Sequence, residues 1–147
     1  MELFSFMMRG GQTPQKNTIN LLVDLLDSVE EYDKAVYVYE TSLAGVSARE
    51  SWDPSYGNMV DLHGYSGAVA KAAIRSGLKK LLQRYINAGK DPSVVCDFTL
   101  ITGVGKHSKR PFEPVLRPAA ANMFLTEFNP PLPTRLDSDN KGRLLVR

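Results

Sequence analysis

The sequence predicts an α/β protein: a two-layer β-α-β-α-β-β sandwich with a mixed sheet, preceded by an α-helical repeat hairpin. Three observations predict it. Residues 17–46 carry apolar side chains at the 3.6-residue period of helices. From residue 59 onward, short β-branched and apolar runs alternate with two longer helical stretches. Between them, residues 47–58 (SARESWDPSYGN) mix polar side chains with Pro54 and Gly57 and read as a linker. The expected organisation is a helical repeat remnant at 1–46, a linker at 47–58 and an α/β domain at 59–147.

Within NTINLLVDLLDSVEEYDKAVYVYETSLAGV, Ile19, Leu22, Val23 and Leu26 form one stripe. Asp27-Ser28 interrupts it. A second run, with Ala35, Val38 and Tyr39 on one face, ends near Gly45, an expected C-cap. Upstream, ELFSFMMRGGQTP reads as the tail of another such helix, closed by Gly10-Gly11. Phe4 and Tyr39 stand 35 residues apart and Gly11 and Gly45 34, the period of a helix–turn–helix repeat. One unit and the end of another are too few for a stable solenoid. The expectation is therefore a piece of a longer array, with the hairpin packed onto little else. Trp52 in the linker is expected to pack rather than stack on a base, because Trp buries so much apolar area.

The α/β part opens with a strand at 59–62 and a helix at 67–88. Ile74, Leu78, Leu81, Leu82 and Tyr85 form the apolar stripe of that helix, while Lys79, Lys80 and Arg84 lie on other faces. Gly89 is the expected C-cap and Asp91-Pro92 the following turn. Residues 94–102 (VVCDFTLIT) read as a buried central strand, with Cys96 a small buried side chain inside it. GVGKHSKRP is a loop. A second helix covers about 114–128, where Pro114 and Pro118 suit only a first turn. NPPLP ends it, and PTRLDSDNKGRLLVR reads as two strands around an Asn-Lys-Gly turn.

Composition narrows the function classes. No apolar run approaches the ~20 residues of a membrane span, so no membrane association is expected. MELFSFMMRGG lacks the basic start and cleavage region of a secretory signal. The single cysteine cannot form an internal disulfide, which suits a reducing compartment. Charge is split along the chain. Residues 1–59 hold four Lys/Arg against nine Asp/Glu, a net of −5, and residues 60–147 hold 14 against seven, a net of +7. A basic domain fits a polyanionic partner.

Two strand-to-loop junctions carry chemistry: VDLHG at 60–64 and ITGVGKHS at 101–108. Parallel strands of an α/β layer deliver their C-terminal ends to one edge, where ligands sit. Both histidines, His63 and His107, fall at these junctions. A strand through 61–63 would point Asp61 and His63 to one side. Gly103 and Gly105 let backbone amides turn toward an anion, and Lys106, Lys109 and Arg110 add charge beside them.

These motifs resemble the Smr (small MutS-related) domain, whose marks are an L-D-x-H-G strand end and a T-G-x-G-x-H-S loop, followed by a helix carrying Leu-Arg. Here they read Val60-Asp61-Leu62-His63-Gly64, Thr102-Gly103-Val104-Gly105-Lys106-His107-Ser108 and Leu116-Arg117. The resemblance covers 59–147. It departs in Val60 for leucine and in the two prolines of KRPFEPVLRP, which alter the approach to Arg117. The upstream helices resemble pentatricopeptide repeats, with Asn20 at the base-reading position, Ala35 at the small helix-packing position and Tyr39 at the aromatic core position. Together they resemble the C-terminal end of a plant organellar pentatricopeptide-repeat protein with a terminal Smr domain. That resemblance implies repeats that bind single-stranded RNA and a domain that nicks nucleic acid, in the chloroplast first and the mitochondrion second.

On this reading Asp61, His63 and Arg117 are the catalytic residues. His63 would be the general base or acid, Asp61 would orient it, and Arg117 would stabilise transition-state charge. Thr102, Gly103, Gly105, Lys106, His107, Lys109, Arg110 and Asn20 would bind the nucleic acid. RNA carries its own 2′-OH nucleophile, so no cofactor is expected, and a divalent metal such as magnesium stays compatible. The expected partner is single-stranded RNA, with DNA second, and the expected state is a monomer. The blander alternatives stand beside these. Asp61 could simply cap its turn, His63 could be structural, and Asn20 could be an ordinary helix residue. A metal site from Asp61, His63 and His107 would lack a further firm ligand. A non-catalytic RNA- or DNA-binding module fits the same fold and charge.

The charge split generates a first prediction. Affinity of the chain for single-stranded RNA should fall steeply with salt, with a log–log slope of about −0.7 per phosphate neutralised. Filter binding at rising ionic strength measures it. A flat response would show that the basic half is not the contact surface.

Overall fold

The computed structural model describes residues 1–12, 14–42, 50–51, 57–95, 97–103 and 115–146. In chain order these form α1 (Glu2–Arg9), α2 (Lys16–Ser28), α3 (Tyr32–Ser42), β1 (Glu50–Ser51), β2 (Asn58–Asp61), α4 (Gly67–Asn87), β3 (Phe98–Ile101), α5 (Leu116–Thr126), β4 (Thr134–Leu136) and β5 (Arg143–Val146). A short 3-10 turn, Pro92–Val94, precedes β3. The five strands make one mixed sheet in the order β1-β2-β3-β5-β4. Only β2 and β3 pair in parallel; the other neighbours are antiparallel. A parallel pair needs a crossover, and α4 supplies it.

The register sorts the strand residues into two rows. Val60 pairs with Leu100 and Leu100 with Leu144, and all three are buried. One position on, Asp61 pairs with Ile101 and Ile101 with Arg143, and these are half-exposed. The two-residue period thus sends one row into the core and leaves the other on the opposite face.

Local chemistry explains the helix boundaries. Ser66 caps α4 by accepting the Val69 N–H at 3.3 Å. The helix ends at Asn87 with Ala88 as its C-cap, one residue before the Gly89 expected from sequence; Gly89 follows at φ +67°. Asp91 caps the 3-10 turn through the Ser93 N–H at 2.9 Å, and its bonds to Ser93 hold its carboxyl below the usual carboxylate range. That turn takes residues 92–94, so β3 is shorter than the strand expected over 94–102. In α5, Pro118 occupies the third position, where no intrahelical partner for an N–H exists.

Two expectations are corrected. The linker contributes a strand: Glu50 and Ser51 pair with Val60 and Met59. The hairpin is also not packed onto little else. The interior runs without a break from Phe4 through Tyr39 and Ile74 to Val146. Helix α4 is buried on two sides, with Ala70, Ala72, Ala73, Ser76 and Gly77 all buried. Small side chains there let the hairpin approach on one side and the sheet on the other. The apolar stripe read from sequence captured only part of this. Ile74 and Leu81 are buried, Leu78 and Tyr85 half-buried, and Leu82 is 58% exposed. Gly45, Trp52 and Cys96 lie outside the described residues.

Polar contacts fasten the hairpin to α4. Asp27, which reads as a break in the stripe, pairs with Lys71 and with Arg75, whose Nη1 lies 3.0 Å from Oδ1. Arg75 also reaches Glu127, just past α5, at 2.8 Å and lies over the Tyr32 ring at 3.9 Å. Ser76 donates to Glu40 at 2.8 Å, and Ser66 donates to Asp24 at 3.2 Å. Among the described residues no helix is long and apolar enough to cross a membrane.

Removing Arg75 leaves Glu127 without its partner and Asp27 with Lys71 alone. Arg75→Met should lower the unfolding free energy by about 3 kcal/mol. Lys34→Met, which breaks the exposed Lys34–Glu31 pair, should cost less than about 0.5 kcal/mol. Urea denaturation of both variants checks this, and equal small losses would contradict it.

Candidate functional site

Because β2 and β3 run in parallel and in register, both end at one edge of the sheet. The Leu62 N–H donates to Ile101 O at 2.9 Å, which continues the ladder by one step and buries the Leu62 side chain. The chain then reverses. Gly64 sits at φ +76°, and the Tyr65 N–H donates back to Leu62 O at 3.0 Å. Asp61 Oδ1 accepts the His63 backbone N–H at 2.9 Å. The strand therefore stops at Asp61, and the pair expected on one strand face is instead a carboxylate and a turn it caps. His63 stands exposed on that turn.

The second junction lies against the first. Gly103 adopts φ +71°, and a Cβ built on it would lie 3.8 Å from Cδ2 of His63. The His63 ring thus has Gly103 backbone beside it. A third segment holds that backbone. The N–H groups of Thr102 and Gly103 both donate to Gly142 O, at 2.8 and 3.2 Å, and the Thr102 hydroxyl reaches the same oxygen at 3.2 Å. Gly142 belongs to the turn before β5, closed by Gly142 N–H to Asn140 Oδ1 and Arg143 N–H to Asn140 O, both 2.9 Å. A Cβ on Gly142 would lie 3.6 Å from Gly103 and 3.2 Å from Asn140 Oδ1, so this approach is close.

Arg117, the second residue of α5, reaches the same turn. Its Nη2 donates to Lys141 O at 2.6 Å, and its Nε is buried without a hydrogen-bond partner. The structure thus gathers Asp61, His63, Thr102 and Gly103 at one edge and connects Arg117 to them through residues 140–142. Thr102 is buried and its hydroxyl is engaged by Gly142 O, so its side chain supports the edge from inside. Asn20 stands apart, half-buried on α2 and one helical turn before Asp24. Gly105, Lys106, His107, Lys109 and Arg110 lie outside the described residues. Among the described residues no group of three His, Cys, Asp or Glu side chains could hold a metal ion.

Asn140, Lys141 and Gly142 escaped the sequence reading, which took them only as a turn between strands. The missing step was topological. Because β5 runs antiparallel to β3, the residue before Arg143 must arrive at the edge where β3 ends.

An exposed imidazole beside a glycine backbone is a group that can donate or accept a proton. The acid beside it is used on the backbone, which fixes where the imidazole stands. Comparisons of the chain with family models, with curated proteins and with solved structures find no match.

The positive φ of Gly103 is the testable constraint. Gly103→Ala should lower stability by about 1–2 kcal/mol, because an L-residue is strained in that region. Gly67→Ala, at a helix start where a Cβ meets nothing within 4 Å, should be neutral or stabilising by up to about 1 kcal/mol. Thermal melts of the two variants distinguish them, and a harmless Gly103→Ala would argue against the geometry.

Proposed function

We propose that this chain is an RNA-binding, Smr-type endoribonuclease of organellar RNA processing, acting on single-stranded RNA chosen by upstream pentatricopeptide repeats. The chloroplast is the first address and the mitochondrion the second. Residues 59–147 are read as the two-layer β-α-β-α-β-β domain and 1–46 as the repeat remnant. The observation that carries the reading is the exposed His63 ring against the Gly103 backbone, at the edge where two parallel strands end.

The reaction follows from these groups. His63 takes the proton of an RNA 2′-OH, and the oxygen attacks the adjacent phosphorus. The P–O5′ bond breaks, the leaving 5′-oxygen takes a proton from water, His63 returns its proton to solvent, and the products are a 2′,3′-cyclic phosphate and a 5′-OH. Asp61 holds the His63 backbone N–H and so fixes the turn from which the imidazole projects. Lys106, Lys109 and Arg110 supply phosphate affinity. A second reading, a non-catalytic RNA- or DNA-binding module, is favoured by one observation: the Asp61 carboxylate caps a turn, which is structural work.

Labelled RNA, with and without EDTA, tests the proposal. Cleavage should persist in EDTA. His63→Ala should slow it by about 10²–10⁴-fold with affinity nearly unchanged. Asp61→Asn keeps an oxygen for the turn and removes the charge, so it should also lose cleavage while staying folded. Lys106→Ala should weaken binding and keep much of the rate at saturating RNA. Tight binding with no cleavage by the wild-type chain would leave the binding module in its place.

A further inference from the structure

We propose that Arg117 is a positioning residue: through the Lys141 carbonyl it holds the turn at 140–142 against Thr102 and Gly103, and so sets the seat of the His63 ring. This rests on reading His63 as the reacting group, and it assigns Arg117 a role other than direct contact with a phosphate.

The chain of contacts is continuous. Arg117 Nη2 donates to Lys141 O at 2.6 Å. The next residue, Gly142, turns its carbonyl to the Thr102 and Gly103 amides at 2.8 and 3.2 Å. Gly103 in turn abuts His63, with 3.8 Å from its built Cβ to the ring. One feature opposes a direct phosphate contact by Arg117. Its Nε is buried, so an incoming anion meets no open donor there. Its place in the first turn of α5 sets a cation at the positive end of the macrodipole. A carbonyl acceptor fixed at 2.6 Å offsets that repulsion and accounts for the geometry.

Asn140 and Gly142 complete the device. Asn140 closes the turn with its side-chain and backbone oxygens. Gly142 leaves space where a Cβ would stand 3.2 Å from Asn140 Oδ1. The route runs through the backbone of Lys141, so its ammonium is not needed.

Hydrogen exchange at the Thr102 and Gly103 amides of the full chain reads this seat directly. Arg117→Gln is expected to speed both by about tenfold, the effect of losing one charge-assisted hydrogen bond, with the α4 amides as the check on folding. Arg117→Lys should restore part of the protection, since a point charge can reach the same carbonyl. Lys141→Ala should leave both amides as in wild type. RNA cleavage by Arg117→Gln should fall in kcat with KM nearly unchanged. Unaltered exchange in Arg117→Gln overturns the proposal, as does a rise in KM alone, the mark of a phosphate contact. Faster exchange in Lys141→Ala equal to that in Arg117→Gln overturns the backbone route. Should the wild-type chain cleave no RNA, faster exchange in Arg117→Gln still supports the positioning role, and only the nuclease reading is lost.

Discussion

The Arg75 guanidinium is the contact on which the arrangement of helices depends. It lies on α4 and engages Asp27 of α2, Glu127 beyond α5 and the face of Tyr32 on α3. A cation this far from water is tolerable only when its partners are close and well aligned. Here two carboxylates and a ring supply them at once. Apolar packing could accommodate several relative rotations of the hairpin and the sheet. An ion pair with fixed donors accepts few, so it selects one.

That selection reaches the candidate site. Helix α4 starts immediately after the turn carrying His63, and its cap, Ser66, donates to Asp24 of the hairpin. Tyr65, between the turn and the cap, meets Tyr39 of α3 edge-to-face at 6.1 Å. The His63 turn is therefore held from behind by the sheet, through Asp61 and Leu62, and from the side by the hairpin. On the opposite flank the turn before β5 grips Thr102 and Gly103. The turn after β2 and residues 102–103 are thus each fixed by hydrogen bonds to backbone.

What the sequence disclosed follows from what periodicity can encode. The stripe Ile19, Val23, Leu26 and the buried Ala35, Val38 and Tyr39 were legible because a single helix face meets apolar neighbours. The two parallel strands and their shared edge were legible because a β-α-β order constrains handedness and direction. Contacts between elements distant in sequence left no such trace. Asp27 looks like a break in a stripe until Arg75, 48 residues on, is placed beside it. The alanine-rich first half of α4 has no strong single face because both of its sides are covered. Asn140 to Gly142 read as a turn, since only the antiparallel return of β5 brings them to the site.

The number of cations in the basic half overstates what a polyanion would meet. The basic half carries a net of +7. Yet Lys71 and Arg75 are neutralised by Asp27 and Glu127, and Arg117 and Arg84 donate to Lys141 O and Asn58 Oδ1. The acidic surplus of the first half is in part the counter-charge for α4, through Asp27, and in part an acceptor set for its hydroxyls, through Asp24 and Glu40. Any counterion release would then be governed by the cations left on the surface, fewer than the fourteen that the basic half holds. Salt will screen those exposed cations strongly and the partly buried Asp27–Arg75 pair much less. Salt that screens the outer surface would therefore leave the hairpin docked, so the joint between the two halves and the outer surface respond separately to ionic strength.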